Sequence, residues 1–319
     1  MIDPDTASAT TSATRSPRER FHGIIPPMVT PLTEQLALDV GGLERLVAFL
    51  LEGGVHGLFI LGSCGEGPVL SPAVQRELIE RTTALVAGRV PVLVGITDAC
   101  VSESLVLADH AADVGADAVV AAAPFYFQMS QHQLVRWAER LAARSPLPML
   151  FYNMPAMVKI SIEPESMRQL TQCPNIVGFK DSSFDLQLFQ QLAAVGRAER
   201  PEWAMLVGPE ELLPGAYACG GNGAIPGGAN IAPQLFSAMY DALVENKHDL
   251  VDTLHNQANL LQPLYALGGQ PGSFIVGIKS AVAALGICNE QWAGEFDELT
   301  PDQRQQLQAI LTSLGLGNA

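Results

Sequence analysis

The chain has 319 residues, 48% of them apolar and only 16% charged, with 29 glycines and a formal net charge of −15. That acidic surplus, with Lys and Arg scattered along the chain, argues against nucleic acid and anionic membrane partners, which require a positive face. The apolar content and the glycines suit an α/β enzyme with buried strands and tight turns, and they leave disorder to the chain ends.

Residues 1–21 are rich in Ala, Thr and Ser, carry arginines at 15, 18 and 20, and lack the apolar core of a secretion signal. Asp3, Pro4, Asp5 and Pro17 argue against a transit peptide, so a disordered tail is expected there. From Gly23 onward short β-rich apolar runs alternate with amphipathic stretches. Strands are expected at 23–29, 57–61, 91–96, 118–123, 148–152, 175–180, 204–208 and 223–229. Helices are expected at 39–52, 71–87, 102–114, 130–143, 163–171, 184–195, 209–219 and 233–246. Several open on recognisable starts, such as Ser71-Pro72, Ser130 and Glu163-Pro164. Eight such units predict an α/β fold of the (β/α)8 TIM barrel type over 22–246, with a doubly wound open sheet as the alternative. From 247 the strand signal stops. Three helices near 248–267, 273–285 and 301–314 form a C-terminal helical extension, 247–319, expected to pack outside the barrel.

No stretch approaches eighteen uninterrupted apolar residues, so no membrane partner is expected. The five cysteines (Cys64, Cys100, Cys173, Cys219, Cys288) show no CxxC spacing and an odd count. They read as reduced thiols of a cytoplasmic protein rather than a disulfide framework or zinc site.

Four unusual segments fall at the C-terminal ends of expected strands, the face on which such barrels build their sites. They are Gly62-Ser63-Cys64-Gly65-Glu66, Tyr152-Asn153-Met154-Pro155, Lys180-Asp181-Ser182-Ser183 and Gly208-Pro209-Glu210-Glu211. Lys180 is the most informative. It is one of four lysines in the chain and closes an apolar run of buried-strand character, 175–180. Burial disfavours an ammonium ion and yields a nucleophilic amine, which would attack a carbonyl substrate to form a Schiff base. The alternative is a strand-end lysine that snorkels to solvent or pairs with Asp181.

An imine with a 2-keto acid needs a grip on the carboxylate, a proton shuttle and room for the rest of the substrate. Gly62-Ser63-Cys64-Gly65 would supply the grip, because its glycines let the backbone approach and its N–H groups, with the Ser63 hydroxyl, form an anion nest. An ordinary strand-to-helix turn is the alternative. Tyr152 would shuttle protons; a buried tyrosine bonded to backbone is the alternative. Glu210 and Glu211 read from position alone as helix-start acids that complement the dipole. Cys64 as an activated nucleophile lacks a histidine nearby in sequence. No HExxH or Walker-type run occurs and the six histidines are dispersed, so no metal or separate cofactor is expected.

In their order and spacing these motifs resemble the family of dihydrodipicolinate synthase and N-acetylneuraminate lyase, class I aldolases of the pyruvate type. The resemblance covers about residues 21–290. GSCGE matches the family's Gly-(Ser/Thr)-Thr-Gly-Glu, YNMP its Tyr-Asn-x-Pro, GFKDSS its lysine segment, and GGNGAIPGGANIAP its eighth-strand region. It implies a (β/α)8 barrel with C-terminal helices, with Lys180 as the Schiff-base lysine and Tyr152 as the proton shuttle. Ser63 and Cys64 become the pair that binds the keto-acid carboxylate. Tyr126, in 123–127, becomes a tyrosine that acts across the interface of a homo-oligomer, a dimer or tetramer. The carbonyl of Ile225 is implied to face the lysine.

The departures from the family pattern narrow the substrate. Dihydrodipicolinate synthases carry an arginine where this chain has Met157, and Lys159 is a poor substitute for its bidentate fork. Cys64 replaces the usual threonine. An apolar residue at 157 resembles the branch that cleaves 2-keto-3-deoxy sugar acids, in which Ser182, Glu210 and Glu211 match positions that bond sugar hydroxyls. Gly227 stands where sialic acid lyases place a serine. The expected activity is therefore aldol cleavage or condensation between a 2-keto-3-deoxy sugar acid, pyruvate and an aldehyde. Dehydration of the same substrate, a dihydrodipicolinate synthase-like condensation and a catalytically silent binding protein are the alternatives.

Overall fold

Residues 15–269, 272 and 274–317 are described by the computed structural model. Eight parallel strands form one sheet: β1 (Gly23–Ile24), β2 (Leu58–Ile60), β3 (Val92–Gly95), β4 (Ala118–Ala122), β5 (Met149–Asn153), β6 (Ile176–Asp181), β7 (Ala204–Val207) and β8 (Gly223–Ala224). Their spatial order is β1-β8-β7-β6-β5-β4-β3-β2. The seam between β1 and β2 is closed beyond the end of β1, where Pro27 bridges Phe59 in parallel. There Met28 N donates to Phe59 O (2.8 Å) and Phe59 N to Pro26 O (3.0 Å). The result is the expected (β/α)8 barrel. β1 is shorter than the run 23–29 because Pro26 and Pro27 have no N–H to give to a ladder.

Each strand is buried along its whole length, which is why these segments read as continuous apolar runs rather than alternating ones. Helices cover them on the outside: Val40–Glu52, Pro72–Val86, Val101–Asp113, Gln131–Arg144, Pro164–Leu170, Leu186–Glu199, Leu213–Ala218 and Pro233–Val244. Their starts follow local chemistry. Asp39, Ser71 and Asp185 each accept an N–H of the first turn, and Ser130 forms a full capping box with Gln133.

The expected tail, 1–21, divides. Residues 1–14 lie outside the described residues. The segment from Ser16 is ordered: Ser16 and Glu19 form a capping box over Pro17–Arg20, and Phe21 is buried. Arg18 N donates to Glu202 O (2.8 Å), and Asn222 Nδ2 donates to the carbonyls of Arg18 and Phe21 (2.9 Å each). Composition could not reveal this, because the partners lie about two hundred positions away in sequence.

Beyond the barrel come His248–Ala258, continued by a 3-10 stretch Asn259–Ala266, then Phe274–Ala284 and Pro301–Ser313. Residues 270, 271, 273, 318 and 319 of the extension lie outside the described residues. Tyr265, Phe274 and Ile278 reach back over the barrel mouth, so this region also walls the cavity described below. No helix among the described residues is long and apolar enough to cross a membrane.

Candidate active site

β5 and β6 bring the two central side chains together. A register shift sets Met149 against Ile176 but Leu150 against Gly178, and from there the ladder runs evenly to pair Tyr152 with Lys180 and Asn153 with Asp181. Phe179 faces the helical layer, its ring 5.7 Å from that of Phe189. Alternation along the strand therefore turns Lys180 into the barrel. Its side chain is only 3% exposed, and Nζ lies 4.1 Å from the centre of the Tyr152 ring and 4.9 Å from that of Phe59.

Lys180 neither snorkels to solvent nor pairs with its neighbour. The Asp181 carboxylate faces the other way, accepting from Asn153 Nδ2 (2.6 Å) and from the Ser183 hydroxyl (2.8 Å). Burial pushes the Asp181 carboxyl upward, and those two hydrogen bonds oppose the shift. Among the described residues the lysines that pair with acids are Lys247 and Lys279. The Lys180 amine is thus left with aromatic faces and open cavity around it.

That cavity, about 190 Å3, is lined by Ser63, Cys64, Tyr152, Lys180, Ser182, Glu210, Glu211 and Ile225. Eight of the nine side chains singled out from the sequence therefore meet in one place. The ninth, Tyr126, lies elsewhere: it is 71% exposed and packs edge-on against Phe127, itself 78% exposed, with ring centres 4.9 Å apart. A neighbouring space of about 440 Å3 shares Ser63, Tyr152 and Met154 with the first and adds Met157, Lys159 and Glu66.

The Ser63–Cys64 turn has the character of an anion nest. Its ends are fastened by Glu66 N donating to Ser63 O (3.1 Å) and Gly67 N to Gly62 O (3.2 Å). The N–H groups of Ser63 and Cys64, two residues that line the cavity, donate to no protein acceptor among the described residues, which leaves them open to an anion. Burial raises the Cys64 thiol to about 11, against a smaller opposing pull from Lys180. The thiol is therefore protonated near neutral pH, which argues against a nucleophilic cysteine.

On the opposite wall Glu210 is buried. Its Oε1 accepts from the Tyr265 hydroxyl (2.5 Å) and its Oε2 from Gly228 N (2.9 Å). Burial outweighs both bonds and raises its carboxyl from the ordinary 4.5 to about 7, with Glu211 adding to the rise. Glu211 accepts from Gln262 Nε2 (3.3 Å). A Cβ at Gly208 would crowd the Ser182 hydroxyl and force it to turn away. At Gly227 a Cβ would sit 3.0 Å from Ile278 Cδ1 and 3.3 Å from the Tyr265 ring, so the extension fills the space a serine side chain would need.

Several lining residues were not foreseen from the sequence. Tyr265, Gln262, Phe274 and Ile278 come from the extension, where helical periodicity gives a helix but no address. A usable signal did exist for Lys279, a single charge inside the apolar run 274–284. It donates to Glu66 Oε1 at 2.7 Å, both side chains fully buried.

The dihydrodipicolinate synthetase family matches residues 20–314. A curated 4-hydroxy-tetrahydrodipicolinate synthase of Methanopyrus kandleri is 33% identical over 93% of this chain and 97% of its own. An Escherichia coli protein named as a probable 2-dehydro-3-deoxy-D-pentonate aldolase is 30% identical over 93% and 99%. Among solved structures, the dihydrodipicolinate synthase of Bacteroides thetaiotaomicron superposes with a TM-score of 0.87 at 39% identity, covering 92% of this chain and 98% of that one. YagE, an Escherichia coli prophage protein solved in complex with pyruvate, gives 0.88 at 29% identity over 93% and 99%. The barrel, the match over nearly its whole length and these relatives agree: the chain belongs to the dihydrodipicolinate synthetase family of class I aldolases and lyases.

Proposed function

We propose that this enzyme cleaves, and in reverse condenses, a 2-keto-3-deoxy sugar acid through an imine on Lys180, with pyruvate as the keto-acid product. One observation carries the reading: a buried amine with no acid partner among the described residues, over the Tyr152 ring on a cavity floor. Lys180 Nζ adds to the C2 carbonyl. Tyr152 gives its proton to the departing hydroxyl, which leaves as water, and the imine forms. The phenolate then takes the C4 hydroxyl proton, the C3–C4 bond breaks, and its electrons pass into the imine to leave an enamine and a free aldehyde. Protonation at C3 and hydrolysis of the imine release pyruvate and restore the amine. The lysine is the electron sink, so no metal or separate cofactor takes part.

The open N–H groups of the Ser63–Cys64 turn suit the substrate carboxylate. Ser182, Glu210 and Glu211 suit the sugar hydroxyls, and Ile225, which lines the same cavity, would offer its backbone carbonyl toward the lysine. Met157 beside the second space is apolar, and Lys159 in the same wall lacks the bidentate fork that grips a second carboxylate, which disfavours a dihydrodipicolinate synthase-like condensation. The proposal places Tyr126 at the site of a neighbouring subunit in a cytoplasmic homo-oligomer, and its exposure is compatible with that role.

Dehydration of the same imine is the second reading, and Glu210 favours it. A carboxyl raised to about 7 holds a proton near neutrality that a departing hydroxyl could take. A panel of 2-keto-3-deoxy acids, assayed for pyruvate release with Lys180→Ala as control, decides between them. Pyruvate release supports the lyase, whereas a deoxy-diketo product with no pyruvate supports the dehydratase. If borohydride with pyruvate leaves no adduct on Lys180, the imine reading falls and a binding protein remains.

A further inference from the structure

Glu66 ends the turn that carries Ser63 and Cys64, and it is held from the other side by the extension. Lys279 donates to its Oε1 at 2.7 Å, while Ala293 N and Gly294 N donate to its Oε2 at 2.6 and 3.2 Å. Both charged side chains are fully buried. Glu66 adopts a left-handed backbone conformation (φ 57°), and so does Leu61 at the other end of the turn (φ 58°). Non-glycine residues hold that conformation only where their surroundings enforce it. Lys279 also follows Ile278, which with Phe274 lines the cavity above Lys180.

A buried ion pair is weak evidence for stability, because apolar side chains of similar volume hold two elements together as well. What it adds is a fixed geometry. We propose that Glu66 and Lys279 are positioning residues for keto-acid recognition. Their ion pair locks the turn that presents the Ser63 and Cys64 N–H groups against the helix Phe274–Ala284, whose residues roof the cavity. Through it the C-terminal extension sets how well the nest fits the substrate carboxylate. The inference rests on the reading that this turn binds that carboxylate.

The test measures, on the full chain, how the borohydride-trapped pyruvate adduct at Lys180 saturates, alongside thermal melts. Glu66→Gln and Lys279→Met each leave one buried charge without its partner and lower the melting temperature. The double variant removes both charges and restores it. A merely structural pair predicts that the double variant also regains the original half-saturating pyruvate concentration. A positioning pair predicts that this concentration stays raised about tenfold in the refolded double variant while adduct still forms at saturation. Recovery of both properties together overturns the inference. A second measurement needs no variant: trapped pyruvate slows hydrogen exchange at the Ala293 and Gly294 amides, which donate to Glu66, and unchanged exchange there overturns it too. Failure of the unaltered protein to form any adduct overturns the imine reading itself, and this inference with it.

Discussion

Two lysines are buried in this molecule, and their surroundings are opposites. Lys279, where the extension meets the mouth, is fully buried against Glu66 at 2.7 Å, and the carboxylate is further satisfied by two backbone N–H groups. Burial lowers the Lys279 amine, and Glu66 opposes that shift. Lys180, on the floor of the mouth cavity, faces two aromatic rings, and its sequence neighbour Asp181 is bound to Asn153 and Ser183 instead. A protein that completes one buried cation and leaves the other without an acid has kept the second for something that is not part of the chain. Under the proposed function that something is a carbonyl substrate, which an amine without an acid partner can attack covalently.

The contrast is broken most sharply by removing each amine in turn. Lys180→Ala is expected to abolish the pyruvate adduct and to lower turnover at least ~1000-fold, with the melting temperature kept or raised, because no ion pair is lost. Mass analysis after borohydride and a thermal melt check this; turnover above a hundredth of the original would refute the role given to Lys180. Lys279→Met is expected to reverse the pattern. It strands the buried Glu66 charge and destabilises by about 3–5 kcal/mol in denaturant unfolding, while the adduct still forms in whatever protein remains folded. If both variants behave alike, the distinction between the two lysines is wrong.

The opposite surroundings were only half legible in sequence. Lys180 announced itself by ending an apolar strand run, and the period-2 alternation that turns it inward is a local property. Strand and helix positions were legible for the same reason, since caps such as Ser130 and Asp39 and the apolar runs act over a few residues. The partner of Lys279 was not, because Glu66 lies 213 positions away and only the closed barrel brings the mouth turn under the extension. The Tyr265–Glu210 contact is hidden likewise, across 55 positions. Proline shortened β1 although the run 23–29 is apolar, and the segment 16–21 is ordered by carbonyls met only at the barrel's end.

A pH series sharpens the comparison on the acidic side, where Glu66 has a cation and Glu210 has only hydrogen-bond donors. The folded state holds the Glu210 proton more tightly than the unfolded chain does, with its value raised from 4.5 to about 7. Its contribution to stability is therefore complete at low pH and is lost as pH rises between those two values, by up to about 3 kcal/mol. Glu211, Tyr265 and Cys64 share this wall and contribute to the same field. Glu210→Gln is expected to flatten that part of the stability profile and to be relatively more stable at pH 8 than at pH 4. An unchanged profile in the variant would mean that Glu210 titrates normally.

The smallest expected effect separates the nest from the thiol inside it. Burial holds Cys64 protonated, so it brings a weak donor to a turn whose N–H groups do most of the binding. Cys64→Ser puts a hydroxyl of nearly the same size in the same place, and a hydroxyl donates better to a carboxylate than a thiol does. Half-saturating pyruvate is expected to fall about fivefold, the equivalent of roughly 1 kcal/mol, with the saturating rate unchanged. An activated nucleophile predicts the reverse, a collapse of turnover on losing its sulfur. Alkylation gives an independent check: exposed Cys100, whose thiol is lowered by bonds to Ser102 and to backbone, should react with iodoacetamide well before Cys64. Alkylation of Cys64 ahead of Cys100 would instead show a thiolate at the mouth, and the two-lysine contrast would then have to accommodate a second nucleophile.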